Sequence, residues 1–382
     1  MSANAASASS AADGHSANGP SASAPSAGER VPSLDSLRGI SILLVLAGHL
    51  SGTPGSPAFA NGLHNLGNWG VKFFFVISGF IITKLLVEEC ERAGAIGFGR
   101  FFLRRSAKIL PAYFAYVAII AVFALFKAIE LMPGDLLHAA TFTMNFHAER
   151  GWYLNHTWSL GVEEQFYLCW PLVVLMCRRA TLLRVCIAIM VLAPLIRAYM
   201  WYQLEVGPTQ MTRALPAAVD ALAAGALFFL LLNRLRSVWP RAATWGFVLV
   251  AAAFVVPAAI FKLAGAGQFY VWGQSVMILL IAATVIHCVL HPDAGIGALF
   301  NNPVFVAHGT ISYSLYLWQE PFLNTYDPRW HTYFPLNLLL AYICGIASFV
   351  MIERPARALI LRRFERRPVA PAASPDRPSF GA

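Results

Sequence analysis

Charge is what this chain has least of. Asp, Glu, Lys and Arg together make up 12% of 382 residues, against 58% hydrophobic ones. A soluble domain carries about 25% charged residues. Half that amount leaves too little polar surface to coat a globule of this size, so lipid must be the solvent for most of the chain. The mean hydropathy of +0.59 agrees. Other absences narrow the reading further. The cysteines (Cys90, Cys169, Cys177, Cys186, Cys288 and Cys344) show no CxxC spacing, and all but Cys90 lie in apolar runs. That argues against a disulfide framework or a metal site and leaves small buried hydrophobes. The net charge of +9 comes without any basic–aromatic module, so nucleic acid is not an expected partner. Residues 1–30 hold almost no large apolar side chain and no signal-peptide h-region. They are expected to be a disordered Ala/Ser-rich tail, as is the stretch 368–382. No internal repeat relates the two halves of what lies between, so residues 31–367 are expected to form one membrane domain.

What is present is a series of apolar runs. Ten fall near residues 34–50, 71–87, 109–130, 158–177, 182–203, 214–232, 243–262, 271–290, 304–325 and 335–353. Each has roughly the ~20 residues a bilayer crossing needs, which predicts an all-α polytopic bundle of about ten spans. The stretch 133–150 is too short and broken for a span and reads as a helix lying partly in the membrane. Lys and Arg set the orientation. With a cytoplasmic N terminus, about 21 of the 28 basic residues fall in inner segments, including the cluster from Arg354 to Arg367. This is the bias of the positive-inside rule, and ten spans then put both termini in the cytoplasm.

Polar residues inside these runs are the candidates for chemistry, since ionisable groups within spans are costly and usually face an interior cavity. The first run, LDSLRGISILLVLAGHL, holds Arg38 and His49 eleven residues apart. That is close to three helical turns, so the two share a face, about 16 Å apart along the axis. His49 reads either as an interfacial histidine capping the helix end or as a functional group. The fourth run opens NHTWSLGVEEQFYLCWP, with adjacent carboxylates Glu163 and Glu164 beside Trp158, Ser159, Gln165 and Tyr167. Neighbours in sequence point about 100° apart on a helix, so at most one of the pair aims squarely at a given site. A structural buried pair is the plainer reading, and a catalytic one the sharper. In GRFFLRRSAKILPAYF, the residues Arg104, Arg105 and Lys108 serve either topology alone or a phosphate site. GTISYSLYLWQEPF places Ser312, Tyr313, Ser314 and Tyr316 in an apolar helix, with Glu320 before Pro321; such hydroxyls also stitch helices together. Asp220 has no close cation in sequence, Arg213 being seven residues away.

Taken together, LDSLRG followed by His49, GVKFFFVISGFIITKLL, FLRRSAKILPAYF, TWSLGVEEQFYLCWP and ISYSLYLW resemble the acyltransferase 3 family of membrane O-acyltransferases, over most of residues 33–360. The order and spacing of five such stretches carry the resemblance. It implies a bacterial inner-membrane enzyme that uses cytoplasmic acyl-CoA, usually acetyl-CoA, to acylate a hydroxyl of a saccharide or glycoconjugate at the outer face. Lipopolysaccharide and exopolysaccharide are acceptors typical of the family. Acyl-CoA would be a co-substrate, with no tightly bound cofactor and no metal. The family's Arg and His fall on Arg38 and His49, its Glu motif on Glu163 and Glu164, and its basic cluster on Arg104, Arg105 and Lys108. Asp35, Trp158, Ser159, Ser312, Tyr313 and Tyr316 are carried over as supporting or substrate residues.

The chain departs from the family pattern in places. Lys108 stands where Arg is common, keeping the charge and losing the bidentate fork. Gln319 stands where His is frequent and is assigned no acid/base role. Asp220 lacks the Arg that often closely precedes it, and no esterase-like domain is expected after the tenth run. On this reading CoA phosphates sit among Arg38, Arg104, Arg105 and Lys108, and the pantetheine arm climbs the first helix toward His49. His49 is then the general base, oriented by Glu163 or Glu164. The alternative is a proton-coupled secondary transporter, for which buried His, Glu and Asp are also suited.

Overall fold

The structure, a computed structural model, describes residues 32–364; the expectations for the two tails lie outside them. Every one of the ten apolar runs falls on a helix, and no strand occurs among the described residues. A backbone in hydrocarbon has no water to bond, so only internally satisfied helices or closed barrels suit it. The principal helices are α1 (Pro32–Leu50), α2 (Leu66–Ala93), α3 (Phe98–Leu125), α4 (Thr157–Met176), α5 (Arg179–Tyr202), α6 (Asp220–Val238), α7 (Thr244–Gln268), α8 (Gln274–Leu290), α9 (Pro303–Trp318), α10 (Leu336–Ser348) and α11 (Arg354–Phe364).

Seven segments are long and apolar enough to cross a membrane, and the chain is a multi-pass membrane protein. One of the seven, Thr244–Leu290, is 47 residues long. As one straight helix it would measure about 70 Å, more than twice a hydrocarbon core. Gly265 breaks it, with φ 87° and ψ 172°, and α7 folds back on α8. Two helices fall outside the seven: α4, diluted by Glu163, Glu164 and Gln165, and α9, only 16 residues long. Both contribute to the site, together with α1, α2 and α3. The stretch 133–150 is broken as expected, into Asp135–Ala140 and the short turn Met144–Phe146. It is tied to α4 where the Gln165 amide donates to the Phe142 carbonyl at 2.9 Å.

The core is centred on α1 and α2. Helix α1 packs on α2 and α9, and α2 packs on α4, α6 and α8. Within lipid, close helix contact depends on small residues, and two crossings here have backbone against backbone. A Cβ on Gly309 would stand 1.8 Å from the Asp35 carbonyl oxygen, and one on Gly39 2.0 Å from that of Phe305, locking α9 to α1. On the other side of the core, Gly79 and Gly225 each leave 1.9 Å to the facing Leu222 and Val76 carbonyls of α6 and α2. Gly79→Val is therefore expected to lower the unfolding free energy by at least ~1–3 kcal/mol, read as a drop in thermal midpoint in detergent. Gly207→Ala, where nothing lies within 4 Å, is the control and stays unchanged. Equal shifts in both variants would remove close approach as the cause.

Asp220 has its cation after all. Arg197, from α5, donates to Asp220 Oδ2 at 2.8 Å and to the Val271 and Ala217 carbonyls, with both side chains essentially fully buried. Ser275 completes the group from α8 with a 3.2 Å bond to the same carboxylate oxygen.

Candidate functional site

The first run's Arg38–His49 geometry survives in a changed form: the two residues line two different cavities at opposite ends of α1. The cavity near the N-terminal end encloses roughly 670 Å³, mouth included. Arg38 from α1, Arg105 and Lys108 from α3, and Glu163 from α4 line it, so three cations face one carboxylate. Ser159, Ser312, Tyr313 and Tyr316 add hydroxyls, and Val71, Phe74 and Phe75 of α2 give it an apolar wall. The cations are held in place. Arg105 Nε lies 3.2 Å from Glu164 Oε1, and its guanidinium carbon sits 3.1 Å from the centre of the Tyr167 ring. Arg38 leans on Asp35 at 3.8 Å. Tyr313 donates to the Ile109 carbonyl at 2.9 Å, fixing α9 against α3. Arg104 is exposed and does not line this cavity, so the structure gathers Arg38, Arg105 and Lys108 and leaves Arg104 aside.

The second cavity is larger, roughly 1760 Å³ including its open side, and lies at the C-terminal end of α1. His49, His156, Arg213 and Glu320 line it together with aromatic walls. Trp158 belongs to this cavity and not to the basic one; its ring lies under Arg213, 5.5 Å from the guanidinium carbon. Val71 and Tyr316 line both cavities and mark where they meet. There the Tyr316 hydroxyl donates to the His156 carbonyl at 2.9 Å and pairs with the Ser159 hydroxyl at 2.7 Å.

The partner of His49 differs from the one expected. Its Nδ1 lies 2.6 Å from Gln319 Oε1, and its ring stands edge-on to Trp152. Glu164 is engaged with Arg105, and Glu163 accepts from Tyr167 at 3.2 Å. Neither carboxylate orients His49. A carbonyl oxygen facing Nδ1 requires the proton on Nδ1, which leaves the Nε2 lone pair free to accept a proton. Gln319 thus holds the ring in the place where a carboxylate was expected. In sequence it was only the residue after SYSLYLW; nothing local signals a bond to a residue 270 positions away. His156 and Glu320 were likewise visible as letters and silent as a pair.

A loop closes over this end of the bundle. Asp327 accepts from Tyr153 at 2.8 Å and pairs with Arg329, which also donates to the Ala128 carbonyl at 2.8 Å. The Arg329 guanidinium holds the Asp327 carboxyl below the usual carboxylate range. Just before that loop, the Trp152 indole donates to the Glu320 carbonyl at 2.8 Å and fixes the backbone from which Gln319 and Glu320 project.

The site is thus two cavities in a helical membrane bundle, one lined by cations and one by histidines, meeting end to end. Residues 31–354 match the acyltransferase domain family, and the chain belongs to it. Among the relatives, a peptidoglycan O-acetyltransferase of Listeria monocytogenes is 26% identical over 362 residues, covering 86% of this chain and 56% of the relative. A putative peptidoglycan O-acetyltransferase of Bacillus subtilis is 27% identical over 88% of the chain and 56% of its own length. A putative O-acetyltransferase of Staphylococcus aureus is 25% identical, with 88% and 59% covered. The chain thus spans somewhat more than half the length of these relatives. No solved structure matches it.

Proposed function

We propose that this protein transfers an acyl group, acetyl by preference, from cytoplasmic acyl-CoA to a hydroxyl of a saccharide on the outer side of a bacterial inner membrane. One observation carries the reading: the basic cavity and the His49 cavity sit at opposite ends of α1 and meet at Val71 and Tyr316. Ten crossings follow if α4 and α9 span together with the seven apolar segments, Thr244–Leu290 counting twice for its break at Gly265. That arrangement returns both termini to the cytoplasm, the side the Lys/Arg bias favours.

In this reading the CoA phosphates bind Arg38, Arg105 and Lys108, and the pantetheine arm lies along the apolar wall of α2. The thioester then reaches the junction at Tyr316. His49 Nε2 takes the proton of the acceptor hydroxyl as its oxygen attacks the thioester carbonyl. The tetrahedral species expels the CoA thiolate, and the imidazolium returns its proton to sulfur. The products are the ester and free CoA, and Gln319 holds the tautomer throughout. The relatives' names favour a glycan acceptor of the peptidoglycan kind over the lipopolysaccharide or exopolysaccharide of the first expectation.

The reading is tested with the purified chain in vesicles, radiolabelled acetyl-CoA and glycan fragments on the other side. Label must appear in the glycan, and transport of unmodified acetyl-CoA in its place would overturn the proposal. In the same preparation, Arg105→Gln with Lys108→Gln is expected to weaken CoA binding by about 100-fold or more, at ~1.5–3 kcal/mol for each charged hydrogen bond lost. Arg104→Gln, exposed and away from the cavity, changes it little. Tight CoA binding that survives the double substitution would remove the phosphate-site assignment.

A further inference from the structure

The cavity around His49 holds more polar machinery than one general base requires. His156 heads α4, and its ring is enclosed edge-on between Tyr116 and Tyr316, with centroids 5.5 and 5.3 Å away. Glu320 follows α9 on the backbone fixed by Trp152. The two side chains, each 1% exposed, face one another with His156 Nδ1 3.8 Å from Glu320 Oε1. Neither ring nitrogen of His156, nor Glu320 Oε2, has a partner in good hydrogen-bonding geometry, although the Leu317 carbonyl approaches the ring and the Gln319 side chain approaches Glu320. A buried polar atom left unmade costs about 1–3 kcal/mol, and more for a charged group. Two other enclosed carboxylates are answered, Asp135 by the Met132 and Gly151 amides and Glu353 by Ser314, and Asp220 is answered at one oxygen by Arg197. His156 and Glu320 both line the cavity beside His49, the side from which a ligand would meet their unpaired atoms.

The chemistry fits a polyhydroxylated ligand. A carboxylate oxygen accepts from one hydroxyl, and an imidazole donates to or accepts from a neighbouring one. At 3.8 Å the two side chains are close enough to bond neighbouring hydroxyls of one ring. The cavity walls suit the same ligand, since Trp69 and Phe254 add aromatic lining and Asn155 and Thr212 add further polar groups. We propose that His156 and Glu320 form the hydroxyl-recognition subsite for the acceptor, gripping a saccharide hydroxyl next to the one presented to His49. The proposal rests on the transferase reading and adds to it the residues that select the acceptor.

The test uses the full chain in detergent with tritiated glycan fragments, from peptidoglycan disaccharides to neutral hexose disaccharides, in equilibrium dialysis. For the fragment that binds, Glu320→Leu and His156→Leu are each expected to raise its Kd about tenfold or more, one hydrogen bond's worth. The KM for that acceptor rises with it, while the Kd for acetyl-CoA stays at the wild-type value and reports an intact fold. A deoxy analogue of the same fragment loses affinity on the wild type and loses none on Glu320→Leu. Saccharide binding unchanged in both variants, or no fragment bound by the wild type, overturns the subsite. Failure of the transferase reading would look different: saccharide bound with the stated dependence, and no label transferred.

Discussion

His49→Ala will lower acyl transfer by a factor of ~10²–10⁴, the range spanned by a positioned general base, and will leave CoA binding at its wild-type value. The separation of effects follows from geometry. His49 lines one cavity and Arg38, Arg105 and Lys108 line the other, so no phosphate contact is lost with the imidazole. Gln319→Leu tests the second half of the argument. It keeps the volume roughly constant and removes the 2.6 Å contact to Nδ1. Without that acceptor the ring is free to place its proton on either nitrogen and to turn. A loss of ~10–100-fold is expected, the scale on which orienting groups act on a functional histidine. Steady-state label transfer measures both, with acetyl-CoA Kd from dialysis alongside. The double variant should be no worse than His49→Ala, because Gln319 acts through the ring; a multiplicative double loss would give Gln319 a role of its own. Transfer that is unimpaired in His49→Ala would remove this residue from the mechanism.

Much of this arrangement was legible from local chemistry, and the remainder was not for a definable reason. Spans depend on short-range composition, so each of the ten apolar runs overlaps a helix, with ends that differ, as where the run 304–325 passes the end of α9 at Trp318. The shared face of Arg38 and His49 depends on helical repeat alone, and α1 carries both residues over its length. What periodicity cannot supply is the partner across a helix interface. Glu163 and Glu164 were natural candidates for His49 because carboxylates orient histidines. Helix α4, however, sets them low in the bundle against Arg105 and Tyr167, while a plain amide from the end of α9 reaches His49. The same limit hid Arg197 from Asp220, since the two meet only once α5 packs on α6. Arg104 and Arg105 show the opposite case. Adjacent and identical in type, they were inseparable in sequence, and a rotation of about 100° on α3 leaves one exposed and the other in the cavity.

The buried group around Asp220 gives the largest stability effect expected outside the site. Removing one partner of a buried ion pair destabilises by about 3–5 kcal/mol, because the other charge stays buried and uncompensated. Both single substitutions, Arg197→Met and Asp220→Leu, should therefore lower the thermal midpoint in detergent sharply. They should not do so equally. Lys72, on α2, is fully buried with no hydrogen-bond partner for its Nζ, which lies over the Phe75 ring, and it is close enough to feel the charges of both Asp220 and Arg197. In Arg197→Met it remains as a cation for Asp220. In Asp220→Leu, two buried cations are left facing each other with no carboxylate between them. Asp220→Leu is thus the worse of the two, and combining it with Lys72→Met should recover part of the loss. The paired variant Arg197→Met with Asp220→Leu should recover most of it, since replacing both members of a buried pair by apolar groups is often close to neutral. Full recovery is not expected there, because Arg197 also serves the Val271 and Ala217 carbonyls. If the two single variants unfold at the same temperature, Lys72 takes no part in the balance. If the paired variant is no better than either single, the group is held by its backbone bonds and not by its charges.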